Sequence, residues 1–146
     1  MLRNIFFIIV TGYFFLTGCK DQSKENMMPE LSTCDSAAVM YYHTQGNPRF
    51  FNMTKVYDKK ILSAIAGDIN GKVITAKDSC TTQGKIYYYG RGDAVYIAYF
   101  SRTKDCMTVS FIKTGEKYFV SMSEATKNLL DELQKTAKEP GRENNN

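Results

Sequence analysis

The chain has 146 residues, of which 23% are charged and 43% are apolar or aromatic, the composition of an ordinary globular domain and neither a disordered nor a polytopic membrane chain. Nineteen Lys and Arg against fifteen Asp and Glu leave +4, too mild a balance to imply a nucleic-acid partner. A single histidine excludes a multi-histidine metal site and leaves any histidine-based catalytic set resting on His43.

The first eighteen residues carry a positive charge at Arg3, then an apolar run from Ile5 to Leu16. The run is short for a membrane span, which needs about 20 apolar residues, and the polar segment from Lys20 ends it. Residues 1–18 therefore read as a removable export signal. The run closes on Leu16-Thr17-Gly18-Cys19: an apolar residue, two small residues and a cysteine. This resembles the lipobox of bacterial lipoproteins. The resemblance implies cleavage after Gly18 and acylation of Cys19, with the acyl groups (palmitate or similar) as the membrane anchor. In enterobacterial lipoproteins an Asp directly after the cysteine resembles an inner-membrane retention signal. Lys20 stands there instead, which favours the outer membrane, on its periplasmic or outer side.

Residues 19–33 are polar with no apolar period and read as a flexible tether. Residues 20–33 could reach about 45 Å when fully stretched. One domain is expected over residues 34–137, and residues 138–146 read as a disordered tail after Pro140-Gly141. The apolar segment 35–43 fits either a buried strand or a short helix. Gly46-Asn47-Pro48 reads as a turn. An N-terminal helix is expected from an Asn52 cap to Ala66, with Met53, Val56, Tyr57, Ile61, Ala64 and Ile65 on one face and Gly67 as its stop. The pattern then turns to period two. Val73–Ala76 is a short apolar run. Lys85–Tyr89, Ala94–Phe100, Met107–Ile112 and Lys117–Met122 read as strands, with Thr114-Gly115 as a tight turn. Ser121-Met-Ser-Glu124 fits a capping box before an amphipathic helix striped by Ala125, Leu129, Leu130 and Leu133. The expected fold is α+β: an antiparallel meander of four to five strands with an N-terminal helix and a C-terminal amphipathic helix.

Besides Cys19, three cysteines remain. Strands 85–89 and 107–112 run the same way in a meander, and Cys80 and Cys106 each sit just before one of them. In the oxidising envelope a Cys80–Cys106 disulfide is therefore preferred, with Cys34–Cys80 as the alternative. No CxxC spacing supports zinc. Asp68-Ile69-Asn70-Gly71 lacks the ligand spacing of a calcium loop and reads as a turn. Arg91-Gly92-Asp93 matches a cell-adhesion tripeptide, but its residue types are those a hairpin turn selects.

No catalytic set, metal site or cofactor motif is visible. The remaining signal is aromatic: Tyr87, Tyr88 and Tyr89 in one strand, Tyr96 and Tyr99 in the next. If the two helices cover opposite faces of the sheet, these tyrosines are core. If only one face is covered, they form a platform with Lys85, Arg91 and Arg102 around it, suited to a protein partner or a glycan. The expected role is a lipid-anchored, non-catalytic binding module that contacts an envelope protein. The alternatives are a small envelope hydrolase or redox protein using His43 or a free cysteine, and a glycan-binding accessory.

Overall fold

The computed structural model describes residues 27–75 and 80–141; the export segment and Cys19 lie outside these residues. A short 3-10 turn, Pro29–Thr33, opens the domain. Strands β1 (Ser36–Thr44) and β2 (Asn47–Val56) form a hairpin. Helix α1 (Lys59–Ile69) follows, then the two-residue β3 (Val73–Ile74). A meander of β4 (Gly84–Tyr89), β5 (Val95–Thr103), β6 (Cys106–Lys113) and β7 (Glu116–Ser121) leads into α2 (Glu124–Thr136). The fold is α+β, with one seven-stranded antiparallel sheet in the order β2-β1-β4-β5-β6-β7-β3.

Strand alternation sorts the sheet into two faces. Val39, Ile86, Ala98 and Phe111 are joined by register across β1, β4, β5 and β6, and all are buried. The same face carries Tyr41, Tyr88, Phe100, Val109 and Val120. It forms one core with Leu62, Ile65, Ala66 and Ile69 of α1 and Leu130 of α2. Both helices thus lie on one side of the sheet. Tyr41 donates its hydroxyl proton to the Leu130 carbonyl at 2.7 Å, and the Arg102 guanidinium reaches Asp131 at 2.5 Å and Gln134 at 2.8 Å. These bonds hold α2 down. At Gly84 a Cβ would collide with the Met40 carbonyl oxygen and the Phe100 ring, so β1, β4 and β5 approach closely only because this residue is glycine.

Several sequence expectations change. The sheet has seven strands, because β1 and β2 extend it on one side and β3 on the other. Asn52–Val56 is strand, and the helix starts later, capped by Asp58, whose side chain accepts from the Lys60 amide. The helical spacing from Met53 is fortuitous. Met53 faces Met40 in the ladder, a constraint no local pattern reveals. Gly67 lies inside the helix, which ends at Asn70. The cap of α2 is Ser123, which accepts from the Thr126 amide, two residues past the expected Ser121.

Residues 27–33, expected to be tether, belong to the domain. Met28 and Leu31 are buried in the core, because the Met28 backbone pairs in both directions with the Asn70 side chain, at 2.7 and 3.0 Å. At the other end, Lys138 and Met53 exchange backbone hydrogen bonds at 2.8 and 2.9 Å, so the expected tail begins as a paired segment. That bridge and Pro48 occupy the β2 edge, where proline is tolerated. The sulfurs of Cys80 and Cys106 lie at disulfide-bonding distance, with Cα atoms 5.4 Å apart. Cys34 is buried and unpaired among the described residues.

Candidate functional site

The face of the sheet opposite the helices is the candidate site. Across its centre the register runs Met53, Met40, Lys85, Tyr99, Ser110, Phe119 and Ile74. Ala38, Met40 and Ser110 are buried between the larger side chains that flank them in the ladders. The result is a flat surface tiled by Tyr42, Tyr87, Tyr99 and Phe119, all half-buried. Towards the start of β5 it becomes openly apolar: Tyr89, Val95, Ile97 and Ile112 are 42, 48, 36 and 57% exposed.

Its charges have one sign. Lys55, Lys85 and Lys117 occupy strand positions on this face, and no described strand position on it is Asp or Glu. The lysines lie on the rings. Lys85 Nζ is 4.7 Å from the Tyr87 centroid, and Lys117 Nζ is 4.9 Å from Phe119 and 5.8 Å from Tyr99, within cation–π range. Burial would pull the Lys85 ammonium down. Its hydrogen bond to Tyr87 and the nearby phenols of Tyr42 and Tyr99 outweigh that and hold it above the usual value. Burial pushes the Tyr42 phenol up, against the pull of Lys85. The face therefore offers aromatic surface and fixed positive charge throughout the physiological range.

The sequence-derived candidates divide between the two faces. Tyr87, Tyr89 and Tyr99 lie on the uncovered face. Tyr88 and Tyr96 pair with each other across β4 and β5 and face the core; Tyr88 is fully buried and Tyr96 packs against the cluster. Three consecutive tyrosines must alternate sides of a strand, so they could not all join one surface. Arg102 also belongs to the helix side, lying 5.1 Å from the Tyr41 ring and 5.3 Å from Phe100. Arg91 is exposed in the β4–β5 connection, where Gly92 and Asp93 adopt left-handed backbone, as the turn reading expects. Lys117, Phe119, Ile97 and Ile112 were missed as site residues. Their signal was present in the alternation that assigns Tyr118, Val120, Val109 and Phe111 to the core.

The alternative centres lie elsewhere. His43 is exposed, with Nε2 2.9 Å from Asn52 Oδ1. It borders a cleft of about 480 Å³ with Arg49, Phe50, Phe51, Glu139 and Pro140, a lining that holds neither serine nor cysteine. The Cys34 thiol contacts the Glu30 carbonyl at 3.7 Å. Burial pushes its pKa up, and Asp35 and Glu30 add to the shift, the reverse of what a nucleophilic or redox-active thiolate requires. Among the described residues, no three His, Cys, Asp or Glu side chains are placed to hold a metal ion, and no helix is long and apolar enough to cross a membrane. No protein-family model, curated protein or solved structure matches this chain.

Proposed function

We propose that the chain is a lipid-anchored protein of the cell envelope, held in the outer membrane by acyl groups on Cys19. Its domain is then a non-catalytic binding module that acts through the uncovered face of the sheet. The anchor rests on Leu16-Thr17-Gly18-Cys19. The observation that carries the binding role is that face. A half-sheet of aromatic and aliphatic side chains lies open, and among the described residues the charges that the strand ladders place on it are Lys55, Lys85 and Lys117. A contiguous apolar surface of this kind marks an interaction site.

The test is site-specific photo-crosslinking in intact cells of the native host. A crosslinker at Ile97 or Tyr99 should form adducts with a component of the envelope. The same group at Ser63, on the exposed side of α1, should not. Adducts from Ser63 or from His43 alone would move the site to another surface and defeat this reading. The anchor is tested separately by the mass of the N-terminal peptide of the mature protein.

The glycan alternative uses the same face, since sugar rings stack on tyrosine. Protection of Tyr87 and Tyr99 by an isolated envelope polysaccharide, at concentrations that leave Tyr118 accessible, would favour it over a protein.

A further inference from the structure

The place where the chain enters the domain limits how far this face can stand from the proposed anchor. Asn70 holds Met28 by both backbone bonds, and Lys113 Nζ donates to the Met27 carbonyl at 2.8 Å. The entry point is thereby pinned near the end of β6. There the β5–β6 ladder begins only at Ala98–Phe111, so Val95–Ile97 pair with β4 alone. Met28 lines a cleft of about 250 Å³ at this junction with Val95, Tyr96, Ile97, Tyr99 and Ile112. The chain therefore enters on the helix side of the sheet, at the end where this cleft opens towards the exposed apolar part of the other face.

Only residues 20–26 separate Cys19 from Met27. Eight residue steps at ~3.3 Å span at most about 26 Å. A seven-stranded sheet is about 29 Å wide at ~4.8 Å per strand spacing. The tether is thus no longer than the sheet is wide, and it attaches at the end of the sheet that carries the exposed apolar part of the uncovered face. That face has the composition of a membrane interface: exposed Val95, Ile97 and Ile112, tyrosines with an apolar body and polar tip, and lysines whose ammonium groups lie over the rings. A second copy of the chain would set lysine against lysine. An anionic lipid surface complements the charge instead.

We infer that the uncovered face docks on the anionic surface of the bilayer that holds the Cys19 lipid, so that the domain lies flat on the membrane with its helices outward. The inference rests on the anchor and the binding face proposed above. The chain contains no tryptophan, so one introduced tryptophan is a unique reporter. The full lipidated chain carrying Ile112→Trp or Ser63→Trp is reconstituted in vesicles of phosphatidylethanolamine with a minority of phosphatidylglycerol, with brominated acyl chains as quencher. Ile97→Trp serves where Ile112→Trp fails a circular-dichroism check of folding.

Docking requires that Ile112→Trp be blue-shifted and quenched while Ser63→Trp stays in water. It also requires that Lys85→Gln and Lys117→Gln each lower the docked-to-undocked ratio about fivefold. If the N-terminal peptide carries lipid but both reporters remain in water, or are quenched equally, docking is overturned and the anchor stands. If Cys19 carries no lipid and Ile112→Trp is still quenched, docking stands and the anchor fails. A protein adduct from a crosslinker at Ile97, with Ile112→Trp unquenched, overturns docking in favour of a protein partner.

Discussion

Tyr88 is the largest fully buried side chain, and its hydroxyl has no hydrogen-bond partner among the described residues. A buried hydroxyl left unpaired costs about 1–3 kcal/mol. Tyr88→Phe removes that group and keeps the ring that fills the core, so it should raise stability by about 1 kcal/mol, read as a higher midpoint in urea. The same burial pushes the Tyr88 phenol well above its ordinary value, with Cys34 and Asp68 adding to the shift. Burial does likewise at Tyr41, where Arg102 pulls the other way. Both groups favour the neutral form when folded, whereas the unfolded chain ionises near pH 10. Their contribution is therefore complete below about pH 10 and lost as pH rises above it. A thermal melt should hold up to that pH and then fall. The fall should be shallower in Tyr88→Phe, and phenolate absorbance from Tyr41 and Tyr88 should appear only with unfolding. The tyrosine cluster was visible in the sequence, but its division was not: strand register decides which of Tyr87, Tyr88 and Tyr89 meets water, and register depends on residues 50 positions away.

Between elements, the end of α1 meets the start of α2 at one carboxylate. Asp68 Oδ2 accepts from both the backbone amide and the hydroxyl of Ser123 at 2.8 Å, while the Ser123 hydroxyl caps α2 at Thr126. Asp68→Ala removes two hydrogen bonds to a charged acceptor and loosens that cap. It should destabilise the domain by about 1–2 kcal/mol, with faster amide exchange confined at first to the initial turn of α2. A second brace, Arg102 and Lys127 on Asp131, should keep the rest of α2 in place. The meander and α2 could be read from the chain because their cues are local: alternation, the Thr114-Gly115 turn, a serine before an apolar stripe. The error at residues 52–66 has the opposite cause. Met53 and Val56 are spaced like a helix face, but the β1–β2 pairing, reinforced by the Met53–Lys138 bridge, overrides that preference. Ser121 and Ser123 are both plausible caps by sequence, and the reach of Asp68 from another element selects Ser123.

At the scale of the whole molecule, the helices could have covered opposite faces of the sheet. Both instead lie on one, because the residues of α1 and α2 that are buried share one cluster with a single face of all the long strands. The charges of the uncovered face follow from the same asymmetry. Lys85 and Lys117 sit at positions that a second helix layer would have had to desolvate, and burying an unpaired charge in that way is costly. The parity opposite to the core residues turns Lys117 and Phe119 of β7, and Ile97 and Tyr99 of β5, outward on this face, a pattern legible in the alternation alone. That residues 27–33 join the domain could not have been read in this way. It depends on Met28 and Leu31 entering the core, and two apolar residues in a polar segment carry no such signal.

The strand order also bears on how the protein is made. The meander β4 to β7 joins neighbours in sequence and can zip up early, whereas β1 must bridge to β4 across an intervening hairpin partner, α1 and β3. Contacts of long sequence separation form late. Cys80 and Cys106 bracket the first half of the meander, while Cys34 is buried only once β1 has docked. During oxidative refolding the Cys34 thiol is therefore free to capture Cys80 while the correct partner is still being positioned. Cys34→Ser should refold from the reduced, denatured state with a higher yield of the single native bond, counted by mass after alkylation, at a cost of about 1–2 kcal/mol in final stability because it puts a hydroxyl in a buried position. Equal yields from the two chains would mean that β1 docks before the sulfurs meet.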